Sequence, residues 1–154
     1  MSKEIERKFL VDSEIYKAMA KGRREMAQGY LSRNPDATVR VRVADAVGYI
    51  TVKGRNAGAV RDEWEYTIPS ADAEAMLKLC PEGSVLSKTR YLVDFGGRTW
   101  EVDEFHGHLE GLVVAEVELD DENAAVEMPP FVGWEVTGDE RYYNSNLCKQ
   151  GKPE

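Results

Sequence analysis

Near its start the chain carries Glu4-Ile5-Glu6-Arg7-Lys8-Phe9-Leu10, a segment in which charged and apolar residues alternate. Side chains two residues apart lie on the same face of a β-strand. The two glutamates and Lys8 therefore share one face, and Ile5 and Phe9 share the other. The period is two rather than the 3.6 residues of a helix, so the segment is predicted to be a strand with one charged face and one apolar face.

The same period of two recurs along the chain. Counting the first segment, it is found over residues 4–10, 28–32, 38–44, 47–53, 62–68, 87–95, 98–104 and 113–119. Turn-forming residues separate several of these stretches. One such turn is Asn34-Pro35-Asp36, and another is the pair Gly96-Gly97, which is typical of a two-residue hairpin. The sequence therefore predicts a mainly β (α+β) fold with eight antiparallel strands.

Helical segments are predicted between some of these strands. Asp12 or Ser13 is expected to begin a helix that runs to about Arg24, and Ser70 to begin a second over residues 71–79. A third, short helix is predicted to start at Asp120 or Asp121, while residues 139–150 are only weakly helical. We find no internal repeat or linker, so residues 1–154 are expected to form one domain.

The charged positions of the predicted strands form like-signed groups. The acids are Glu4, Glu6, Glu63, Glu65, Glu101, Asp103, Glu116 and Glu118, and the bases are Lys8, Arg40, Arg42, Lys53, Lys88 and Arg90. Any single pair of this kind is most simply a solvated strand face. A solvated sheet surface normally mixes the two signs, however, because like charges on neighbouring positions repel. Separation into acidic and basic strands indicates a ligand, or two ligands of opposite charge.

A barrel offers a place for such ligands. An antiparallel sheet of about eight strands closes into a barrel whose interior holds one small ligand. If the charged faces point inward, Arg and Lys side chains form an anion site and the carboxylates form a site for a hard cation such as Mg²⁺ or Mn²⁺. The sequence therefore predicts a metal–polyphosphate site inside the barrel, with the apolar faces outside and covered by helices.

Composition excludes several other functions. The 154 residues include 20 Lys plus Arg and 28 Asp plus Glu, a net charge of -8, which disfavours binding to nucleic acid or anionic membranes. Net charge alone would also disfavour phosphate-rich ligands. Cations grouped inside the barrel can nevertheless bind such a ligand there. No apolar run suits a spanning helix or signal peptide. Cys80 and Cys148 are expected to be reduced thiols, so a cytoplasmic protein is predicted.

These residues resemble the CYTH, or triphosphate tunnel metalloenzyme, superfamily. Glu4-Ile5-Glu6-Arg7-Lys8 is similar to its ExExK signature, and the remaining charged pairs follow the family's order over essentially the whole chain. The compact length and Gln28-Gly29-Tyr30-Leu31 are most similar to the small bacterial inorganic tripolyphosphatase branch. The resemblance implies an eight-stranded tunnel that binds a triphosphate and cuts a phosphoanhydride bond with a divalent metal. It also implies a homodimer.

The resemblance assigns roles to individual residues. Arg40, Arg42, Lys53, Lys88 and Arg90 would bind the triphosphate, and Lys8 with Tyr30 would orient or deprotonate the attacking water. A lysine among carboxylates stays protonated, so orientation of water is the expected role of Lys8. Packing of Tyr30 as an ordinary strand aromatic remains an equal alternative. The implied metal ligands are Glu4, Glu6, Glu63, Glu65, Asp103, Glu116 and Glu118, with Glu101 ranked lower.

Other interpretations remain open at this point. Within the enzymes, a class IV adenylyl cyclase or a thiamine or nucleoside triphosphatase would use a similar tunnel, although no residue pattern here indicates adenine recognition. A non-catalytic polyphosphate-binding module would use the same lumen without turnover. His106 and His108 are interpreted as loop residues rather than metal ligands, and Trp64, Trp100 and Trp134 as packing on the outer face. Residues 139–142 match a C-terminal segment that either closes the tunnel or simply packs against it.

Overall fold

Antiparallel strands dominate the computed structural model, which describes residues 2–81, 83–151 and 153. The strands are β1 (Ser2–Val11), β2 (Gly22–Asn34), β3 (Ala37–Ala44), β4 (Val47–Lys53), β5 (Val60–Ile68), β6 (Val85–Phe95), β7 (Arg98–Phe105), β8 (Val113–Glu118) and β9 (Val132–Glu135). The helices are α1 (Tyr16–Met19), α2 (Ser70–Leu77) and α3 (Asn144–Gln150). Short 3-10 helices lie at Gly107–Leu109 and Glu140–Tyr142.

Eight of these strands form a closed barrel. They follow the order β5-β4-β3-β2-β6-β7-β8-β1, and β1 pairs back onto β5 through the register Ser2↔Glu63 to Ile5↔Val60. Strand β9 pairs with the other end of β1. The predicted eight-stranded antiparallel barrel is therefore confirmed, and all eight predicted stretches are strands.

An apolar layer covers much of the outside of the barrel. Phe9, Trp100 and Val117 point outward from β1, β7 and β8 and are packed beneath Tyr16 of α1 and Phe131. Helix α2 packs on β3 and β4. Gly48 makes that contact close, because a Cβ there would lie 2.8 Å from Cβ of Ala73. The predicted outward apolar faces are thus confirmed, although a non-helical segment before β9 shares the covering with the helices.

One end of the barrel interior is apolar. Leu86, Phe105 and Val114 point inward there and pack with Leu109 and with Leu147 of α3, all of them buried. Strand alternation places these side chains on the same inner face as the charged residues further along each strand. The barrel is therefore filled at this end, and the charged side chains occupy the remainder of the lumen.

Two helix predictions were wrong. The predicted first helix shrinks to four residues, because Gly22–Gly29 pairs with Val85–Leu92 of β6 and is drawn into β2. No helix forms over residues 120–127, where the Asp121 carboxylate accepts a hydrogen bond from the backbone N–H of Asn123 and holds a turn instead. Strand β9 was not predicted, and the weakly helical tail contains α3.

One of the tryptophans packs on the outer face as predicted, and another does not. Trp100 is fully buried in the outer layer, whereas Trp134 of β9 is 83% exposed, so the packing predicted for it was wrong.

Cys80 is a free thiol; the side chain of Cys148 lies outside the described residues. Among the helices that the structure describes, none combines the length and apolar character needed to cross a bilayer.

Candidate active site

The charged faces of the strands enclose a cavity of about 260 Å³ inside the barrel. Seven carboxylates and seven cationic side chains from the described residues line it. Of the predicted site residues it brings together Glu4, Glu6, Lys8, Tyr30, Arg40, Arg42, Lys53, Glu63, Glu65, Arg90, Glu116 and Glu118, with Glu101. Lys88 and Asp103 are the two predicted residues that lie behind the wall.

The two signs are concentrated in opposite halves of the barrel, with Lys8 of β1 and Arg61 of β5 as cations on the acidic half. Arg40, Arg42, Lys53 and Arg90 come from β3, β4 and β6, which with β2 are consecutive strands of the closed sheet. The lining carboxylates come from β7, β8, β1 and β5, which are consecutive neighbours on the other side. A ligand in the cavity would therefore meet a cationic wall and an anionic wall at the same time.

On the basic side, a buried ion-pair cluster holds Arg90. Its Nε donates to Oδ1 of Asp103 at 2.7 Å and its Nη2 donates to Oδ2 at 2.9 Å. Nζ of Lys88 also donates to Oδ2 of Asp103 at 2.6 Å. Burial opposes ionisation of Asp103, but the charges of Arg90 and Lys88 outweigh it and lower the pKa of that carboxyl. Burial, together with the charges of Arg90 and Arg42, lowers the pKa of Lys88, against the opposing charge of Asp103.

Arg40 and Arg42 form weaker contacts with carboxylates than Arg90 does. Arg40 Nη2 lies 3.5 Å from Oε1 of Glu65, and its buried Nε has no hydrogen-bond partner. Arg42 donates from Nε and Nη2 to Oε1 of Gln28 at 3.0 and 2.9 Å. Burial and the neighbouring charges of Arg40 and Arg90 lower the pKa of Arg42 to about 9. These guanidinium groups retain capacity for an anionic ligand.

On the acidic side, burial and repulsion between carboxylates raise the pKa of three groups. The charge of Lys53 outweighs burial and lowers the pKa of Glu4, and the charge of Lys8 does the same for Glu116. Burial and the charges of Glu116 and Glu4 raise the pKa of Glu6 well above its usual range. Burial and the charge of Glu4 raise the pKa of Glu63 to about 7, and burial with the same neighbour raises that of Glu118. A cation among these groups would relieve the repulsion between them.

The donor chemistry fits a hard divalent cation. The acidic residues of this wall offer carboxylate oxygens, and oxygen donors are the ligands that Mg²⁺ and Mn²⁺ prefer. As the side chains stand in the described residues, no three of His, Cys, Asp or Glu are arranged as a finished coordination site. The fit therefore rests on the charge and the type of the donors. His106 takes no part, since its Nε2 lies 2.7 Å from Oγ1 of Thr89 and it does not line the cavity.

Lys8 stands within the acidic wall. Its Nζ lies 3.4 Å from Oε1 of Glu116 and donates to the carbonyl oxygen of Tyr142 at 3.2 Å. Burial alone would lower the pKa of Lys8, but the charges of Glu116 and Glu6 outweigh it, so the pKa is raised and the ammonium stays protonated. Lys8 is consequently a hydrogen-bond donor in this structure.

Tyr30 faces the cavity and joins two environments. Its ring belongs to the apolar cluster at the filled end of the barrel, and its hydroxyl accepts a hydrogen bond from Nε2 of Gln28 at 3.2 Å. Both sequence interpretations of Tyr30 thus have a structural counterpart, a packed ring and a hydroxyl at the cavity wall.

Several lining residues were missed by sequence reasoning. Arg24 of β2 was hidden because its stretch was assigned to a helix. Arg61 of β5 continues the period-two series with Glu63 and Glu65, a signal that could have identified it. The tail contributes Thr137, Gly138 and residues 143–145. The Tyr143 ring lies 6.0 Å from both the Lys8 ammonium and the Arg61 guanidinium, so the tail closes one side of the cavity.

Comparison with known proteins gives a consistent result. A family model described as the CYTH domain matches residues 2–143. An inorganic triphosphatase from Acetivibrio thermocellus is 52% identical over 149 residues, which cover 97% of this chain and 95% of that relative. An inorganic triphosphatase from Nitrosomonas europaea is 39% identical over 155 residues, with 94% and 96% covered.

Solved structures show the same architecture. A crystal structure of an inorganic triphosphatase superposes with a TM-score of 0.67 at 35% identity, covering 97% of this chain and all of that one. A putative adenylate cyclase from Bacillus halodurans superposes with a TM-score of 0.60 at 19% identity, covering 79% of this chain and 84% of that one. At that identity the likeness concerns the fold alone.

Proposed function

This chain belongs to the CYTH family, and on that premise we propose that it is a metal-dependent inorganic triphosphatase that hydrolyses a phosphoanhydride bond of tripolyphosphate. The observation that carries the proposal is the division of the cavity into a cationic and a carboxylate wall. A linear triphosphate is a small polyanion that binds divalent metal ions. The anion suits the cationic wall, and the metal suits the carboxylate wall. The relatives named as inorganic triphosphatases support the same substrate.

The cationic wall is proposed to bind the triphosphate. Arg40, Arg42, Lys53 and Arg90 would donate hydrogen bonds to phosphate oxygens and stabilise the charge on the transferring phosphoryl group. In phosphoryl transfer, positioning and electrostatic stabilisation provide most of the catalysis. Lys88 stays a proposed substrate-binding group as well, and its contact with Asp103 supports a contribution through the charge behind the wall.

The carboxylate wall is proposed to hold Mg²⁺ or Mn²⁺. The residues are Glu4, Glu6, Glu63, Glu65, Glu116 and Glu118, and Asp103 stays a predicted ligand that here is occupied by Arg90 and Lys88. When bound, the metal would neutralise phosphate charge and lower the pKa of water. Before it binds, burial and repulsion between carboxylates raise the pKa of Glu6, Glu63 and Glu118, which favours binding of a cation among them.

Lys8 and Tyr30 are proposed to position the attacking water. The Lys8 ammonium is fixed between Glu116 and the Tyr142 carbonyl, so it can hold a water oxygen by donating one remaining proton. The Tyr30 hydroxyl lines the same cavity and can donate to a second group. Together they would restrict the water to one face of the triphosphate, as an in-line attack requires.

The cysteine content supports the proposed location, and the family resemblance supports the proposed assembly. We propose that the protein works in the cytoplasm and forms a homodimer. Light scattering coupled to size-exclusion chromatography tests the second statement: a mass near twice that of the chain supports it, and a monomer across micromolar concentrations contradicts it.

A substrate panel tests the proposed function. Tripolyphosphate, ATP and thiamine triphosphate are incubated with Mg²⁺ or Mn²⁺, and the products are identified by chromatography. We expect tripolyphosphate to yield orthophosphate and pyrophosphate. Cyclic AMP from ATP would identify a cyclase instead, and calorimetric binding without any product would identify a binding module.

Charge variants add a control to that panel. Arg40→Ala should weaken tripolyphosphate binding strongly, whereas Arg23→Ala, on the exposed side of β2, should leave it unchanged. If both variants bind like the wild type, the cationic wall does not bind the triphosphate.

A further inference from the structure

Gln28 links two residues of the cavity through its side-chain amide. It lies on β2 opposite Arg42 of β3 and is fully buried. Its Oε1 accepts two hydrogen bonds from the Arg42 guanidinium, and its Nε2 donates to the Tyr30 hydroxyl. The side chain does not line the cavity, so it acts on the site through these two neighbours.

The chemistry of Arg42 fixes the orientation of this amide. A guanidinium only donates hydrogen bonds, so the oxygen of Gln28 must face it and the NH₂ group must face Tyr30. The Tyr30 oxygen is then an acceptor toward Gln28. Because a hydroxyl has one proton and two acceptor positions, the Tyr30 proton remains free to point elsewhere.

Arg42 differs from the other arginines on its wall in the charge of its partner. Arg90 is bound by the carboxylates of Asp103 and Glu101, and Arg40 lies 3.5 Å from Glu65. Within the described residues, Arg42 forms no ion pair, and its one hydrogen-bonding partner is the neutral amide of Gln28. The charge of Arg42 is thus buried and held in place without a directly paired carboxylate.

We propose that Gln28 is a positioning residue that fixes Arg42 for phosphate binding without neutralising its charge. A carboxylate at this position would accept the same two hydrogen bonds and would be stabilised by the charge of Arg42. It would therefore favour the folded, ligand-free protein. It would also cancel the positive charge that a phosphate group has to meet, and it would turn the Tyr30 proton toward itself.

This inference rests on the proposed function and predicts opposite effects on folding and on binding. Gln28→Glu should melt at or above the wild-type temperature, yet bind tripolyphosphate about tenfold more weakly or worse, the scale of one charge-assisted hydrogen bond. Gln28→Met keeps the charge of Arg42 but removes its acceptor. It should therefore lose more stability than Gln28→Glu and less affinity. A residue with only a structural role would rank the two variants in the same order for both properties.

The experiment measures melting temperature and calorimetric tripolyphosphate binding in EDTA, where metal-dependent turnover is absent, followed by KM and kcat with Mg²⁺. Asn123→Asp, in an exposed turn, introduces the same charge change far from the cavity and should match the wild type. An unchanged Kd in Gln28→Glu overturns the proposal, and so does a clear fall in its melting temperature. If the wild type binds tripolyphosphate without hydrolysing it, the proposed function fails while the binding comparison still decides the role of Gln28.

Discussion

Asp103 holds Arg90 through two parallel hydrogen bonds, Nε to Oδ1 at 2.7 Å and Nη2 to Oδ2 at 2.9 Å, within the interior of the barrel. Asp103 is 1% exposed and also accepts from Lys88. One carboxylate therefore compensates two buried cations, and the lining guanidinium depends on a residue that does not itself reach the cavity.

Replacement of Asp103 by asparagine should be strongly destabilising. Asp103→Asn removes the charge that Arg90 and Lys88 share, and breaking a buried ion pair costs about 3–5 kcal/mol in the free energy of unfolding. Urea denaturation measures the loss. Asp94→Asn is the matched control, since that exposed carboxylate pairs with Lys21 at the surface. Equal stability of the two variants would contradict the structural role given to Asp103.

Removal of one acidic charge from the carboxylate wall should lower the activity without lowering the melting temperature. Glu118→Gln is expected to reduce Mg²⁺-dependent hydrolysis by about a hundredfold, because a metal ligand is lost. The metal-free protein should melt at the wild-type temperature or higher, because burial and the charges of Glu4 and Glu101 already raise the pKa of Glu118. Glu74→Gln on the exposed face of α2 serves as control. A parallel loss of melting temperature and activity would argue against a metal-binding role.

The water-positioning role of Lys8 predicts a defect in turnover. Lys8→Met should lower kcat for tripolyphosphate by about a hundredfold or more, the scale of one positioned proton donor, while KM changes little. Lys3→Met alters the same strand on its solvent-exposed side and should behave as the wild type. If the two variants have the same kcat, Lys8 has no part in the reaction.

A pH-dependent contribution to stability lies outside the active site. The hydroxyl of the buried Tyr16 donates to Oε2 of Glu104 at 2.8 Å. Burial opposes ionisation of Glu104, but the hydrogen bonds from Tyr16 and Lys17 outweigh it and lower its pKa. Since the folded pKa lies below the unfolded one, this stabilisation is present above the unfolded value near pH 4.5 and disappears as the pH falls through the folded value.

Tyr16→Phe tests that contribution. The variant should lose about 1.5 kcal/mol of unfolding free energy at pH 7, the lower range for a hydrogen bond to a charged group. The difference from the wild type should narrow when the pH is lowered from 5 to 3. Tyr66→Phe, at a residue 62% exposed, should show no difference at either pH. A gap between wild type and Tyr16→Phe that stays constant with pH would contradict the assignment.

The alternating pattern predicted most of the barrel because both faces of its strands are under strong constraint. Glu4 and Glu6 must point inward while Phe9 is buried outside, and such a division leaves a clear period of two. The same charged pairs predicted the family, and the comparisons confirm it. Strand β9 was not predicted because its four residues contain no pair of like charges two positions apart.

The features that sequence reasoning missed depend on tertiary contacts that local pattern does not record. The sequence pattern before Met26 predicts a helix. Pairing with β6 instead makes these residues part of β2 and places Arg24 at the cavity. The family resemblance implies Asp103 as a metal ligand, and that role stays a prediction. The local pattern gives no sign that Arg90 and Lys88 would occupy the carboxylate of Asp103.

The central claim is that the divided cavity hydrolyses tripolyphosphate with a divalent metal. Its most direct test is the yield of orthophosphate and pyrophosphate from tripolyphosphate with Mg²⁺, measured by ion chromatography before and after addition of EDTA. We expect equal amounts of the two products and no reaction once EDTA is present. Tripolyphosphate that is bound but recovered intact with either Mg²⁺ or Mn²⁺ would contradict it.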